Sequence, residues 1–392
     1  MVNKAVSKGA GAPVVIGAVL ALVLSLGLIE GGLWAAVGIG GAVLAALFMG
    51  YQERVVAWPA RPVWIALGCF VLCGVLSSGT SLDPKGAFST FLKSLSFLVP
   101  LALWSSPRVR EAGRRALPFF PKLNGFFIIG AAALLSSLIV ATGLYGVEDP
   151  AVTKLNRGLS YACGLLWPLA GVVFPVKAGK GERALVALSL LVAILLLTHS
   201  RATLLGVVAG VGAALAMARW PRLAMAGIVA GIVAALAWPF VINQGFVHAH
   251  DLLYKVSGSW LHRIEIWDYL SYRILERPWL GWGMGATKLL DWTIPHGAMY
   301  WANAFPVSHP HNIFVQLWVE FGAVGVAFAA GIFAALVRSL WGLAPSLRPW
   351  GAGALTYFIV VSLCAYNLWT DSFWAAISLT SFLFAVLSPR RN

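Results

Sequence analysis

Uncharged apolar runs of roughly 17 to 22 residues, the length a helix needs to cross about 30 Å of hydrocarbon, recur from one end of this chain to the other. About twelve can be counted by that length, which predicts an all-α integral membrane protein forming one polytopic domain over residues 1–392. Composition leaves little room for another solvent: 60% of the 392 residues are hydrophobic and 11% are charged, too little polar surface to cover a soluble globule. Many runs contain glycine, as at 33–50 and 204–217, which suits close helix packing in a bilayer. The first run, 14–28, follows Lys4 and Lys8 in the manner of a signal peptide, but the next begins just after Glu30, so a retained span is expected. All four cysteines, Cys69, Cys73, Cys163 and Cys364, fall inside apolar runs and read as packing residues, not a disulfide framework.

The formal net charge of +14 is scattered among short loops instead of gathered on one soluble face, which argues against nucleic acid as a partner. With the N-terminus in the cytoplasm, the basic clusters Lys4/Lys8, Arg54/Arg61, 108–122, 177–183, Arg219/Arg222, Arg338/Arg348 and Arg390/Arg391 all fall inside in turn. About two thirds of the 28 Lys and Arg then lie on the cytoplasmic side, with both termini there. The other loops face outward, and the largest of them runs from 244 to 310 between two spans.

That loop contains five of the seven histidines and six tryptophans, and a connection of such length usually serves a function. Its middle, 259–275, has helical spacing, with Trp260, Ile264, Trp267, Leu270 or Ser271, and Ile274 on one stripe and Glu265, Asp268, Tyr272 and Glu276 mostly off it. An amphipathic helix lying on or just above the bundle is expected, stopped by Pro278. The following Gly281-Trp-Gly-Met-Gly285 lacks the βαβ context of a phosphate fingerprint and reads as a turn.

Charged or proton-exchanging groups at the outward edge of apolar spans are expensive unless they have partners, and four stand out: Arg157, Arg201, Arg263 and His311. Each arginine alone also fits a snorkelling role. Three on one side, against the positive-inside bias, point instead to an anion such as a phosphate or pyrophosphate, which the guanidinium fork matches. Ser308-His-Pro-His-Asn312 leads directly into a span, so His309 and His311 stand at a helix N-terminus, where anions are favoured. His311 then suits either a proton-transfer group or a structural hydrogen bond at the helix start. No metal is expected, because no Cys or carboxylate cluster at zinc-like spacing accompanies the His pairs. Glu320, deep in the span that His311 begins, is expected to be buried and hydrogen-bonded between spans. Asp371 fits a sugar- or base-orienting group and a helix cap equally well.

The run His311-Asn-Ile-Phe-Val-Gln-Leu-Trp-Val-Glu-Phe-Gly322-Ala-Val-Gly325 resembles the signature of the O-antigen ligase and O-antigen polymerase superfamily, in which a His-Asn, His-Ser or His-Gln pair stands nine residues before Gly-x-x-Gly. Three other segments resemble that family in order and sidedness: Ser200-Arg201-Ala202, Trp260-Leu-His-Arg263 with Trp267, Pro278 and the three glycines, and Leu155-Asn-Arg157 followed by Trp167-Pro168. The Thr pair that some ligases carry after the second glycine is replaced by Val326-Ala327.

The resemblance implies an inverting, metal-independent, GT-C-like glycosyltransferase of the bacterial inner membrane, without cofactor, acting on the periplasmic side. Its donor would be a glycan on undecaprenyl pyrophosphate and its acceptor lipid A-core for a ligase, or another lipid-linked repeat for a polymerase. His311, Arg201 and Arg263 are the implied catalytic residues, with Arg157, His309, Asn312, Trp267 and Asp371 expected to bind substrate. A transporter of anionic lipids or solutes would use the same arginines, but no pair of interrupted spans occupies matching positions in two halves.

Overall fold

The computed structural model describes residues 33–52, 56–116, 150–173, 200–242, 258–292 and 307–388. The expected first span at 14–28, both termini, and His248, His250 and His296 lie outside the described residues. Among the described residues the fold is all-helical. We number the α-helices α1 (Leu33–Gln52), α2 (Arg61–Thr80), α3 (Pro84–Ala102), α4 (Pro107–Ala116), α5 (Pro150–Val173), α6 (Arg201–Arg219), α7 (Pro221–Leu236), α8 (Gly258–Glu276), α9 (Ile313–Trp341), α10 (Arg348–Cys364) and α11 (Asp371–Leu387). Five of these, α1, α2, α3, α6 and α9, are long and apolar enough to cross a membrane, and α7 and α11 are shorter apolar helices.

Small residues set the closest approaches, as the glycine-containing runs predict. A Cβ on Gly210 of α6 would lie 2.8 Å from the Gly353 carbonyl oxygen of α10 and 2.5 Å from the Trp167 ring of α5. Three helices therefore meet where a larger residue would separate them. Of the cysteines, Cys73, Cys163 and Cys364 are buried and Cys69 is exposed, all unpaired.

The predicted loop helix exists as α8, and its stripe of Ile264, Trp267, Leu270, Ser271 and Ile274 is buried as expected. The amphipathic reading needs correction on the other face. Glu265 and Asp268 are each only 1% exposed, and neither lacks a partner, so the first part of α8 is enclosed on both sides. Alternation alone could not show this, because a carboxylate on the polar stripe looks the same whether water or a protein donor satisfies it. Exposure begins at Tyr272, in the last turns.

After α8 the chain turns sharply through Gly281, Gly283 and Gly285, all at positive φ. This turn grips α9 at a break. Gly322 has φ 58° and ψ −154°, a conformation open essentially to glycine alone, and the carbonyls and amides freed there are taken up by the loop. Trp282 N–H donates to the Val319 carbonyl at 2.7 Å, Gly283 N–H to Glu320 at 3.1 Å, and Ala323 N–H to Pro278 at 2.7 Å. The loop also rests on the α2–α3 turn, where Arg277 donates to the Thr80 carbonyl at 3.2 Å. The N-terminal part of α9, which carries the histidine motif, is thus fixed from the side.

Candidate active site

Asn312 is fully buried and caps α9, its Oδ1 accepting from Phe314 N–H at 2.9 Å and Val315 N–H at 3.1 Å. A polar side chain at this position satisfies two of the amides that a helix start leaves unpaired. His311 immediately before it has φ 55°, the only positive φ outside glycine among the described residues. Such a conformation costs on the order of 1–3 kcal/mol and persists only where surrounding contacts impose it. Here Trp267 supplies one: its indole N–H donates to the Pro310 carbonyl at 2.7 Å.

The His309 and His311 rings lie 4.3 Å apart, centroid to centroid. The His311 ring lies beside the Ala365 backbone at the end of α10, which favours its protonated form. Burial pushes His311 down to about 4, helped by the neighbouring His309 and the Arg263 charge and opposed by the Ala365 backbone, with His262 adding a smaller downward push. His309 is lowered by burial and then by Arg157 and Arg263, and His262 by burial and then by Arg263. At neutral pH both rings of the pair are therefore uncharged, beside guanidinium groups that stay charged.

The position of Arg157 follows from three side chains it influences, His309, Tyr161 and Tyr366. Asp371, at the start of α11, acts on Tyr161 and accepts from the Ser372 amide at 2.7 Å. Arg201 opens α6 after Ser200, whose hydroxyl caps Thr203. Ser160 hydrogen-bonds the Tyr357 phenol at 3.1 Å, Thr203 lies close enough to influence the same phenol, and Ser160 lies one turn after Arg157. Arg157 and Arg201 thus stand at the same end of the bundle, each within about one turn of a shared tyrosine.

The expected residues therefore fall into two groups. Arg157, Arg263, His309, His311 and Asp371 are linked around one locus, with Arg201 on the helix beside it. Asn312 and Trp267, expected to bind substrate, each hold local backbone: Asn312 is the helix cap and Trp267, 3% exposed, donates to the Pro310 carbonyl. Glu320 is buried and paired as expected, accepting from Gln316 and Trp369 at 2.8 Å each.

Sequence reasoning missed what ties α9 to the 365–369 turn. Gln316 Nε2 donates to Asn367 Oδ1 at 3.0 Å, and its side-chain Oε1 accepts from the Leu368 amide at 2.9 Å. It also missed Tyr161, Tyr357 and Tyr366, phenols inside or beside apolar segments, where a buried hydroxyl needs a partner and so marks a polar locus. Among the described residues no three His, Cys, Asp or Glu side chains converge to hold a metal ion.

Residues 186–330 match a protein-family model described as O-antigen ligase. The matched stretch contains Arg201, Arg263, His309, His311 and both signature glycines, while Arg157 and Asp371 lie outside it. Curated relatives come from Rickettsia species and carry the name "Putative polysaccharide ligase". The Rickettsia felis protein is 25% identical over 321 residues, covering 77% of this chain and 73% of its own length. The Rickettsia conorii protein is 24% identical over 232 residues, 56% of this chain, and the match spans only 54% of that relative. The resemblance read from the histidine–glycine motif is thereby borne out.

Proposed function

We propose, from the O-antigen ligase similarity over residues 186–330 and the chemistry of the His311 locus, that this multi-pass membrane protein is a glycan ligase. It would transfer a glycan from undecaprenyl pyrophosphate to a hydroxyl of lipid A-core at the periplasmic face of the inner membrane. The proposed topology has about twelve spans and both termini in the cytoplasm, with residues 244–310 as the large periplasmic loop.

The observation that carries this reading is the His309–His311 pair, rings 4.3 Å apart at the start of α9, set beside arginine charge that with burial keeps His311 neutral. In the proposed step the acceptor hydroxyl oxygen bonds to the anomeric carbon while the bond from that carbon to the pyrophosphate oxygen breaks, inverting the centre. His311 takes the hydroxyl proton, and undecaprenyl pyrophosphate leaves with the bonding pair. Arg201, Arg263 and Arg157 would hold the growing negative charge, a role for which fixed guanidinium groups in a partly dry site are suited.

The replacement of a Thr pair by Val326-Ala327 favours a second reading, a polymerase that extends one lipid-linked repeat with another. The lipopolysaccharide profile of a strain lacking this protein, complemented with the native chain or His311→Ala, separates the two. Ligase function predicts loss of all long chains with polymer accumulating on the carrier lipid, restored by the native chain alone. A core bearing one repeat would establish the polymerase, and an unchanged profile would overturn both.

A further inference from the structure

The end of the bundle opposite His311 is marked by α4, with the sequence Pro-Arg-Val-Arg-Glu-Ala-Gly-Arg-Arg-Ala. Proline at its first position starts the helix, and a stripe of Val109, Ala112 and Gly113 faces inward, the first two at 0% exposure. A Cβ on Gly113 would lie 2.7 Å from Phe382 and 2.8 Å from Val386, so α4 lies close against the last turns of α11. Arg114 fixes it there by donating to the Ala385 carbonyl at 3.0 Å, a favourable place for a cation at a helix C-terminus.

The outward face is cationic. Arg108 and Arg115, seven residues apart and hence on one side, are exposed. Arg110 beside them is half-buried, and its Nε meets no acceptor among the described residues. Glu111, which pairs with Arg114 at 3.5 Å, is the only described carboxylate at this end. Exposed Arg61, Arg219, Arg222 and Arg338 stand at the same end on other helices.

Tryptophan is interleaved with this charge. Arg108 donates to the Val56 carbonyl at 2.8 Å, joining α4 to a segment where Trp58 is 61% exposed and lies 5.9 Å from the exposed Trp64. Exposed Trp220 and Trp341 are covered by Arg219 and Arg348 at 5.6 and 5.0 Å. Exposed indoles at the ends of apolar spans mark the headgroup level, and arginines at that level meet anionic lipid.

We propose that this end of the bundle is a docking face for anionic phospholipid headgroups, with α4 as its main contact. Charge complementarity argues for the occupant, and the indole level places it at a bilayer surface. Each arginine near an anionic surface contributes about a fivefold gain in affinity.

The test uses the full chain in detergent, measuring binding of phosphatidylglycerol, phosphatidylcholine and inorganic phosphate. Phosphatidylglycerol should bind about tenfold or more tightly than phosphatidylcholine, and the preference should collapse at high salt and in the Arg108→Gln/Arg110→Gln/Arg115→Gln variant. Should that variant fail to fold, the salt dependence and lipid preference of the parent still decide. Equal binding of the two lipids, or inorganic phosphate competing as well as the lipid, would overturn the proposal, and so would an undiminished preference in a folded variant.

Discussion

Gly322 on α9 and Trp279 in the loop after α8 approach so closely that a Cβ on the glycine would lie 2.5 Å from the Trp279 carbonyl carbon. Gly322 also has φ 58° and ψ −154°, so a side chain there is opposed twice, by its own backbone and by its neighbour. Gly322→Ala is expected to destabilise the protein by about 3 kcal/mol or more, or to prevent its accumulation. Gly331→Ala, later on the same helix where a Cβ would meet nothing within 4 Å, should be neutral to slightly stabilising. Thermal melts of both variants in detergent check this, and equal melting points would remove the clamp from the account of the site.

The pH dependence of transfer should reflect the lowered His311. Its folded value of about 4 lies below the ordinary 6.5, so the ring remains neutral as pH falls through 6 and takes up a proton only near 4. Transfer that needs a neutral ring should therefore stay on a plateau from pH 7 to about 5 and fall below that. Stability has the same sign: the folded state binds this proton less readily than the unfolded chain. His311 therefore destabilises the fold progressively as pH drops from about 6.5 towards 4 and imposes no such cost above that window. Melting points across pH 4 to 8 should fall less steeply in His311→Ala. His309 and His262 shift in the same direction and would leave a residual slope.

How much of this was legible in the sequence depends on whether the deciding partner lies nearby along the chain. The start and stop of α8, the turn at Gly281–Gly285 and the helix start after His311 depend on local spacing, and all could be read from it. The burial of Glu265 and Asp268 depends on what covers a helix face, which periodicity does not encode. Asn312 and Trp267 lie in segments whose family resemblance draws attention to them. Their tasks depend on the amides of Phe314 and Val315 and the carbonyl of Pro310, and only the fold brings an indole 43 residues away to that carbonyl. The Ala365 backbone beside His311 carries no side-chain signal at all.

Arg263 influences His309, His311 and His262, which allows its charge and its shape to be tested separately. Arg263→Lys keeps the charge and loses the planar fork; transfer should drop by roughly tenfold to a hundredfold with the acid limb of the pH profile unmoved. Arg263→Gln removes the charge that helps to lower His311, so the rate should fall at least as far and the acid limb should move upward. Rates measured from pH 4 to 8 on both variants distinguish the effects. A lysine variant as active as the parent would leave bidentate binding of pyrophosphate without support.

Asn312 offers the sharpest contrast between a capping residue and a substrate contact, because the two roles respond differently to serine. Its Oδ1 accepts from the amides of Phe314 and Val315, a task a serine hydroxyl also performs at a helix start. Asn312→Ala should lose about 1 kcal/mol of stability and loosen the left-handed His311 beside it, reducing the rate constant at saturating donor. Asn312→Ser should recover most of both losses. A residue that instead gripped the glycan would show a raised KM in both variants with an unchanged melting point, since a shortened side chain withdraws equally from a ligand whether or not it can cap a helix. Melting curves and donor titrations on the same two preparations therefore decide whether Asn312 acts through the substrate or through the helix that positions His311.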